Sequence, residues 1–140
     1  MVNDKVVSRF VGTPGREDGG IIQYEPLYPV DEVLDLLEKR GTEALRLWTN
    51  KCHRDVQDLV LDHEDIAELL QLALKRGRFK NAQWCKQKPG GPWAACDAYT
   101  VIRSEWIDAA CRSLDIEYYV KFALNKSGTL LLIVSCHTSH

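Results

Sequence analysis

The chain has 140 residues, 45% of them hydrophobic and 27% charged, with a formal net charge of −2. That is the size and balance of one globular domain able to bury a core without disulfide or metal staples. The longest apolar run, Leu130 to Val134, falls far short of the roughly 20 residues of a membrane span. The net figure conceals a gradient: residues 1–74 hold 8 Lys and Arg against 15 Asp and Glu, or −7, and residues 75–140 hold 10 against 5, or +5. Uneven solvated charge is the plain reading; the functional one is that an anionic partner meets the second half.

In chain order, residues 1–30 carry Gly12, Pro14, Gly15, Gly19, Gly20, Pro26 and Pro29 without a sustained period. They predict an irregular arm with one short strand around Ile21–Tyr24. Met1-Val-Asn-Asp-Lys lacks the basic region and apolar core of a secretory signal, and the five cysteines show no tight pairing. Both features predict a cytoplasmic protein with reduced thiols. Asp31 opens Val33, Leu34, Leu36 and Leu37, an apolar stripe with acidic residues in the first turn and Lys39-Arg40-Gly41 at the end, which predicts a short helix. Glu43 to Leu59 predicts helix over part of its length. Asp62-His-Glu-Asp65 reads as an N-cap with an acidic residue three positions on, leading Ile66, Leu69, Leu70, Leu72 and Ala73 to a stop at Lys75-Arg76-Gly77.

Past Gly77 the pattern is that of strands. Phe79–Lys88, Trp93–Arg103, Ile116–Leu124 and Thr129–His137 are rich in aromatic and β-branched residues. Pro89-Gly-Gly-Pro92 and Asn125-Lys-Ser-Gly128 supply the turns. Ser104–Ser113 reads as a short helix capped by Ser104 or as a strand continuation, and the helix is preferred. The whole predicts a single α+β domain over residues 1–140: the arm at 1–30, helices at 31–76, and mainly strands at 77–140. Its N-terminal helices would pack on a C-terminal antiparallel sheet of about four strands.

Tyr118-Tyr-Val-Lys121-Phe alternates, so Tyr119 and Lys121 share a face, as do Ser135 and His137 in the last strand. If these strands pair through the Asn125–Gly128 turn, Tyr119 and His137 meet at one end of the hairpin. Lys86 and Lys88 in the preceding hairpin would add cations to the same surface. Such a set suits RNA: cations meet phosphates, a ring stacks on an unpaired base, and an imidazole moves a proton. Taken singly, each tyrosine reads as half-buried packing, each lysine as a solvated charge, and His137 as part of a frayed terminus. Cys52-His53, Cys85, Cys96 and Cys136-His137 offer tetrahedral zinc ligands in principle, but no C-x-x-C pair exists and neighbouring Cys and His on a strand point apart. Buried hydrophobic thiols are the simpler reading. Gly12-Thr-Pro-Gly15 and Pro89-Gly-Gly-Pro92 lack the setting of a nucleotide loop.

The order of these pieces resembles the MqsR family of bacterial toxin ribonucleases, within the broader RelE-like group. Thr49–Asp62 with Asp65-Ile66 resembles the family's early helix, Leu-Gly-Leu-Asp turn and following helix. Trp84-Cys-Lys86 resembles its Phe-Tyr-Lys, and Trp93 with Asp97-Ala-Tyr99 its Trp-Gln-Asp-Val-Tyr. Tyr119-Val-Lys121-Phe122 resembles Tyr-Leu-Lys-Ile, and Ile133-Val-Ser-Cys-His137 resembles Ile-Val-Ser-Phe-Lys. The likeness spans residues 43–137. The family's glutamine before Asp-Val-Tyr falls near Cys96, two extra residues separate Trp93 from Asp97, and the closing lysine is His137.

The resemblance implies a RelE-like fold and a metal-independent endoribonuclease without cofactor, which cuts single-stranded RNA and is neutralised by a cognate antitoxin protein. It places Lys86, Tyr119, Lys121 and His137 as catalytic, with Lys88, Trp93, Tyr99 and Arg103 as RNA contacts. The rival expectations are a non-catalytic module that binds protein or nucleic acid through the same sheet, and a thiol- or zinc-dependent enzyme.

Overall fold

The computed structural model of the chain describes residues 5–14 and 20–139. Arm positions 1–4 and 15–19, with the breakers expected at Gly15 and Gly19, lie outside the described residues, as does His140. The elements in chain order are β1 (Ile21–Gln23), α1 (Val30–Arg40), β2 (Leu45–Leu47), α2 (Asn50–Asp58), α3 (His63–Arg76), β3 (Arg78–Lys86), β4 (Trp93–Ile107), β5 (Arg112–Leu124) and β6 (Leu131–Thr138). The class is α+β, but the sheet is larger than the sequence predicts: six strands in the order β1-β3-β4-β5-β6-β2. The first half supplies both edges. β2 is too short to show a period, and it exists because Leu45, Arg46 and Leu47 pair in parallel with Leu131, Leu132 and Ile133 of β6.

Local chemistry explains the helix starts. Thr49 caps α2: its hydroxyl accepts from the Cys52 N–H at 3.0 Å and donates to the Val134 carbonyl at 2.9 Å, which ties the helix entry to β6. α3 opens with a reciprocal cap, the Asp65 N–H donating to the Asp62 carboxylate at 2.8 Å and the Asp62 N–H donating to Asp65 at 3.0 Å. Replacing Asp62 with alanine removes one acceptor and is expected to cost about 1 kcal/mol in urea denaturation.

The helix preferred over 104–113 does not form. β4 continues to Ile107 and pairs with β5 from Arg103↔Ile116 to Ile107↔Arg112, closed by a short turn at Asp108–Ala110. Alternation decides it: Arg103 and Glu105 point to the helix side, where they bind each other at 3.1 Å, while Ile102 and Trp106 remain exposed.

Strand pairing separates the sheet faces. Tyr99, Val101, Tyr118, Val120, Phe122, Ile133 and Cys136 look toward the helices and bury Leu69, Leu70, Val33, Leu37 and Val56 against them. The other end of that face, Trp84, Trp93 and Ala95, is covered by Val6, Phe10, Ile22 and Leu27 of the arm. The arm is bound along the start of β4, with Trp93 N–H donating to Lys5 O at 2.8 Å, Val7 N–H to Trp93 O at 2.9 Å and Ala95 N–H to the Ser8 hydroxyl at 2.9 Å. Asp97, 0% exposed, accepts from the Leu27 N–H at 2.9 Å and the Tyr28 N–H at 3.1 Å. Among the described residues no helix is long and apolar enough to cross a membrane.

Candidate functional site

The face turned away from α3 carries cross-strand rows of chemically active side chains. One row is Arg78↔Thr100↔Tyr119↔His137; the next is Asn81↔Ala98↔Lys121↔Ser135, with Gln83↔Cys96 beyond. The Tyr119 and His137 rings stack with centroids 5.2 Å apart and planes at 21°. Lys121 Nζ donates to Gln83 Oε1 at 3.3 Å and lies 6.0 Å from the Tyr119 ring centroid. Gln83 Nε2 donates to Asn81 Oδ1 at 2.6 Å and reaches the Tyr119 hydroxyl at 3.5 Å. One amide therefore joins the cation to the phenol.

Gln83 is the residue that sequence reasoning missed. It sits directly across from Cys96, where the resemblance would put a glutamine, so the amide arrives from the adjacent strand. Alternation of Asn81 and Gln83 against the buried Ala82 and Trp84 was its only signal.

Protonation states follow from burial. Burial raises the Tyr119 phenol above its ordinary value, with the Lys121 ammonium opposing, so the phenol is neutral at pH 7. For Lys121 burial works against the charge, but attraction to Cys85, Tyr119 and Cys96 as these ionise at high pH outweighs it and keeps the ammonium's value above the ordinary one. His137 Nδ1 lies 2.7 Å from the Thr138 carbonyl oxygen. A carbonyl only accepts, so Nδ1 carries the hydrogen, and in the neutral ring Nε2 keeps its lone pair.

Beside Lys121 opens a cavity of about 620 Å³. Thr49, Asn50, Lys51 and Arg54 of α2 and its cap form one wall, Lys86, Gln87, Lys88 and Pro89 the other, and Cys85, Lys121, Val134 and Ser135 the floor, with no carboxylate among them. Lys51 is bridged to Asp55 along the helix. The first turn of α2 adds the partial positive charge of a helix N-terminus. The β3–β4 turn is held by the Gln87 N–H to Pro92 O at 2.9 Å and the Gly91 N–H to Lys88 O at 3.0 Å, with φ of 92° at Gly90 and 91° at Gly91. Glycine is the residue that adopts such angles freely.

The candidates from sequence divide accordingly. Tyr119, Lys121 and His137 come together, and Lys88 stands at the cavity rim. Lys86 lines the cavity but pairs with Trp93, its Nζ 4.9 Å from that ring's centroid, so its charge lies away from the Tyr119–His137 row. Trp93 at 3% exposure and Tyr99 at 4% are core residues on the opposite face, Tyr99 packed on Phe79 and Phe122. Arg103 also points to the helix side, bound by Asp65 and Glu68 at 3.2 Å and by Glu105 at 3.1 Å. Trp93, Tyr99 and Arg103 are thus not brought to the surface expected to hold RNA. Each sits where strand alternation meets the helices or the arm.

Four cysteines are buried and Cys111 is exposed. Burial pushes Cys52 and Cys136 up to about 12 and Cys96 well above its ordinary value, so these are neutral thiols at pH 7. Among the described residues no group of three or more His, Cys, Asp or Glu is placed to hold a metal ion. Compared with family models, curated proteins and solved structures, the chain matches none.

Proposed function

We propose that the protein is a metal-independent endoribonuclease of the toxin–antitoxin type, acting on single-stranded RNA from a RelE-like, MqsR-like fold. The observation that carries this reading is the Tyr119–His137 stack, joined through Gln83 to Lys121, at the edge of a basic cavity without carboxylates. In this reading His137 Nε2 takes the proton of the ribose 2′-hydroxyl. The 2′-oxygen then bonds to the adjacent phosphorus, the bond to the 5′-oxygen breaks, and that oxygen takes a proton from solvent, leaving a 2′,3′-cyclic phosphate and a 5′-hydroxyl. Lys121 neutralises the charge that grows on the phosphate, and Tyr119 stacks on a base. Lys88, Lys51 and Arg54 draw in the flanking backbone. A cytoplasmic location and a neutralising antitoxin protein belong to the same proposal.

The test is incubation of purified protein with labelled single-stranded RNA in chelator, with product ends identified. His137→Ala is expected to lower the cleavage rate about 100-fold. Lys121→Ala should also lower it strongly, and Lys86→Ala weakly, because its ammonium sits over Trp93. Intact RNA with wild type, without ribosomes and again with them, would sink the nuclease reading. The cavity itself favours the second reading, a non-catalytic binding module, since five basic residues and no carboxylate hold an anion with no chemistry required. RNA that is bound and never cut would select it.

A further inference from the structure

We infer that the open face carries a second phosphate subsite, built from Arg76, Arg78 and Lys80, across the Tyr119–His137 stack from the Lys121 cavity, so that single-stranded RNA lies across the sheet. The inference rests on the proposed RNA reading and extends it to residues the resemblance does not touch. A second cavity of about 540 Å³ is lined by these three cations with Thr100, Ile102 and Glu117. Arg78 stands in the same row as Tyr119 and His137, with Thr100 between. From Lys121 to Glu117 is four residues of β5, about 13 Å of strand. A mononucleotide does not fill both cavities, and a strand of RNA does.

Two features of the backbone place the charges. The β3–β4 register shifts between Phe79 and Asn81, which leaves Lys80 as the extra residue of a bulge. Arg78 and Lys80 are two residues apart, so alternation turns both to the cavity, and the extra residue returns Asn81 to the same face beside them. Gly77 lets the end of α3 touch β4, where an added Cβ would lie 2.7 Å from Thr100 O, and this close approach sets Arg76 and Arg78 beside Thr100. Arg76 also complements the C-terminal end of the α3 dipole, but Arg78 and Lys80 lie outside the helix. Glu117 is the one carboxylate there, against three cations. Ile102, 57% exposed, gives an apolar surface next to them. Cations at both ends with stacked rings between them fit unpaired nucleotides better than an acidic protein, which would leave the rings without a use.

The experiment is fluorescence anisotropy over a range of salt, with 2′-O-methylated RNA, which cannot be cleaved, either long enough to cross the sheet or as a dinucleotide. For the long RNA, Arg76→Ala with Arg78→Ala is expected to reduce the slope of log affinity against log salt by roughly 1.4, at about 0.7 per phosphate contact. Dinucleotide binding should not change. Glu117→Gln should tighten the long RNA only, a gain that misfolding cannot mimic. An unchanged slope in the double variant, with wild type still binding, overturns the second subsite and leaves the RNA reading standing. Wild type that binds neither RNA overturns both. Displacement by polyglutamate as effective as by RNA of equal charge overturns the subsite in favour of an acidic protein.

Discussion

Replacing Asp97 with alanine is expected to lower stability by about 3 kcal/mol and to release the arm from the sheet. The carboxylate accepts from two backbone donors some 70 residues away in sequence, the part-buried N–H of Leu27 and the buried N–H of Tyr28. Alanine leaves both without a partner in an apolar setting, and each such donor costs about 1–3 kcal/mol. Trp84 and Trp93 lie under the arm, so a red shift of tryptophan emission should accompany the loss in denaturation midpoint. Unchanged emission and midpoint would mean that the other arm contacts, the Ser8 and Tyr28 hydroxyls and the backbone bonds to Trp93 among them, hold the arm without Asp97.

The same group makes stability depend on pH with a definite sign. Burial pushes the Asp97 carboxyl up to about 6, against the pull of the Leu27 and Tyr28 N–H groups. A folded value above the unfolded one, about 3.9, means that the folded state retains a proton which the unfolded chain releases. This contribution is complete below pH 4 and is lost as pH rises through 6. Relative to Asp97→Asn, wild type should therefore gain about 1 kcal/mol on going from pH 7 to pH 5. Asparagine isolates the Asp97 proton; Asp65, held low by the Asp62 N–H and by Arg103, loses its contribution only at more acid pH, below the ordinary carboxylate range. Parallel profiles for the two proteins would show that the Asp97 carboxyl titrates as an ordinary one.

Gly77→Ala is expected to cost 3 kcal/mol or more, with loss of melting temperature read by circular dichroism. The backbone there has φ −76° and ψ −179°, which any residue adopts. The restriction is space: a Cβ would stand 2.6 Å from Ala73 O and 2.7 Å from both Ala73 Cα and Thr100 O, all backbone atoms that no rotamer change can move. Gly128, at φ +73° in the β5–β6 turn, is the useful contrast, since an added Cβ there meets nothing closer than Arg9 at 3.8 Å. Alanine at Gly128 should cost about 1 kcal/mol, from conformation alone. If Gly77→Ala proved the milder of the two, the α3–β3 corner would be free to move outward.

Where a short stretch contained its own reason, the sequence was legible. The Asp62 and Asp65 side chains cap α3 through bonds that close within four residues, and the Pro89–Pro92 and Asn125–Gly128 turns depend on the torsions of their own glycines and prolines. The stacking of Tyr119 on His137 followed from one hairpin and one alternation. β2 is different: three residues carry no period, and only Leu131–Ile133, more than 80 positions on, makes Leu45–Leu47 a strand. Ser104–Ser113 has helical composition, yet the pairing of Arg103–Ile107 with Arg112–Ile116 continues the β4–β5 hairpin through it.

Alternation in the sequence determined by itself which residues share a face, because a period of two is a local property of the extended chain. Which face the helices and arm cover was decided only in the tertiary structure, where burial and charge are satisfied over the whole molecule at once. That decision sent Trp93, Tyr99 and Arg103 inward, and left Gln83, Tyr119, Lys121 and His137 facing outward. The bulges at Lys80 and Val134 belong to it as well: one extra residue re-aims a side chain, and nothing in the local sequence marks which residue is extra.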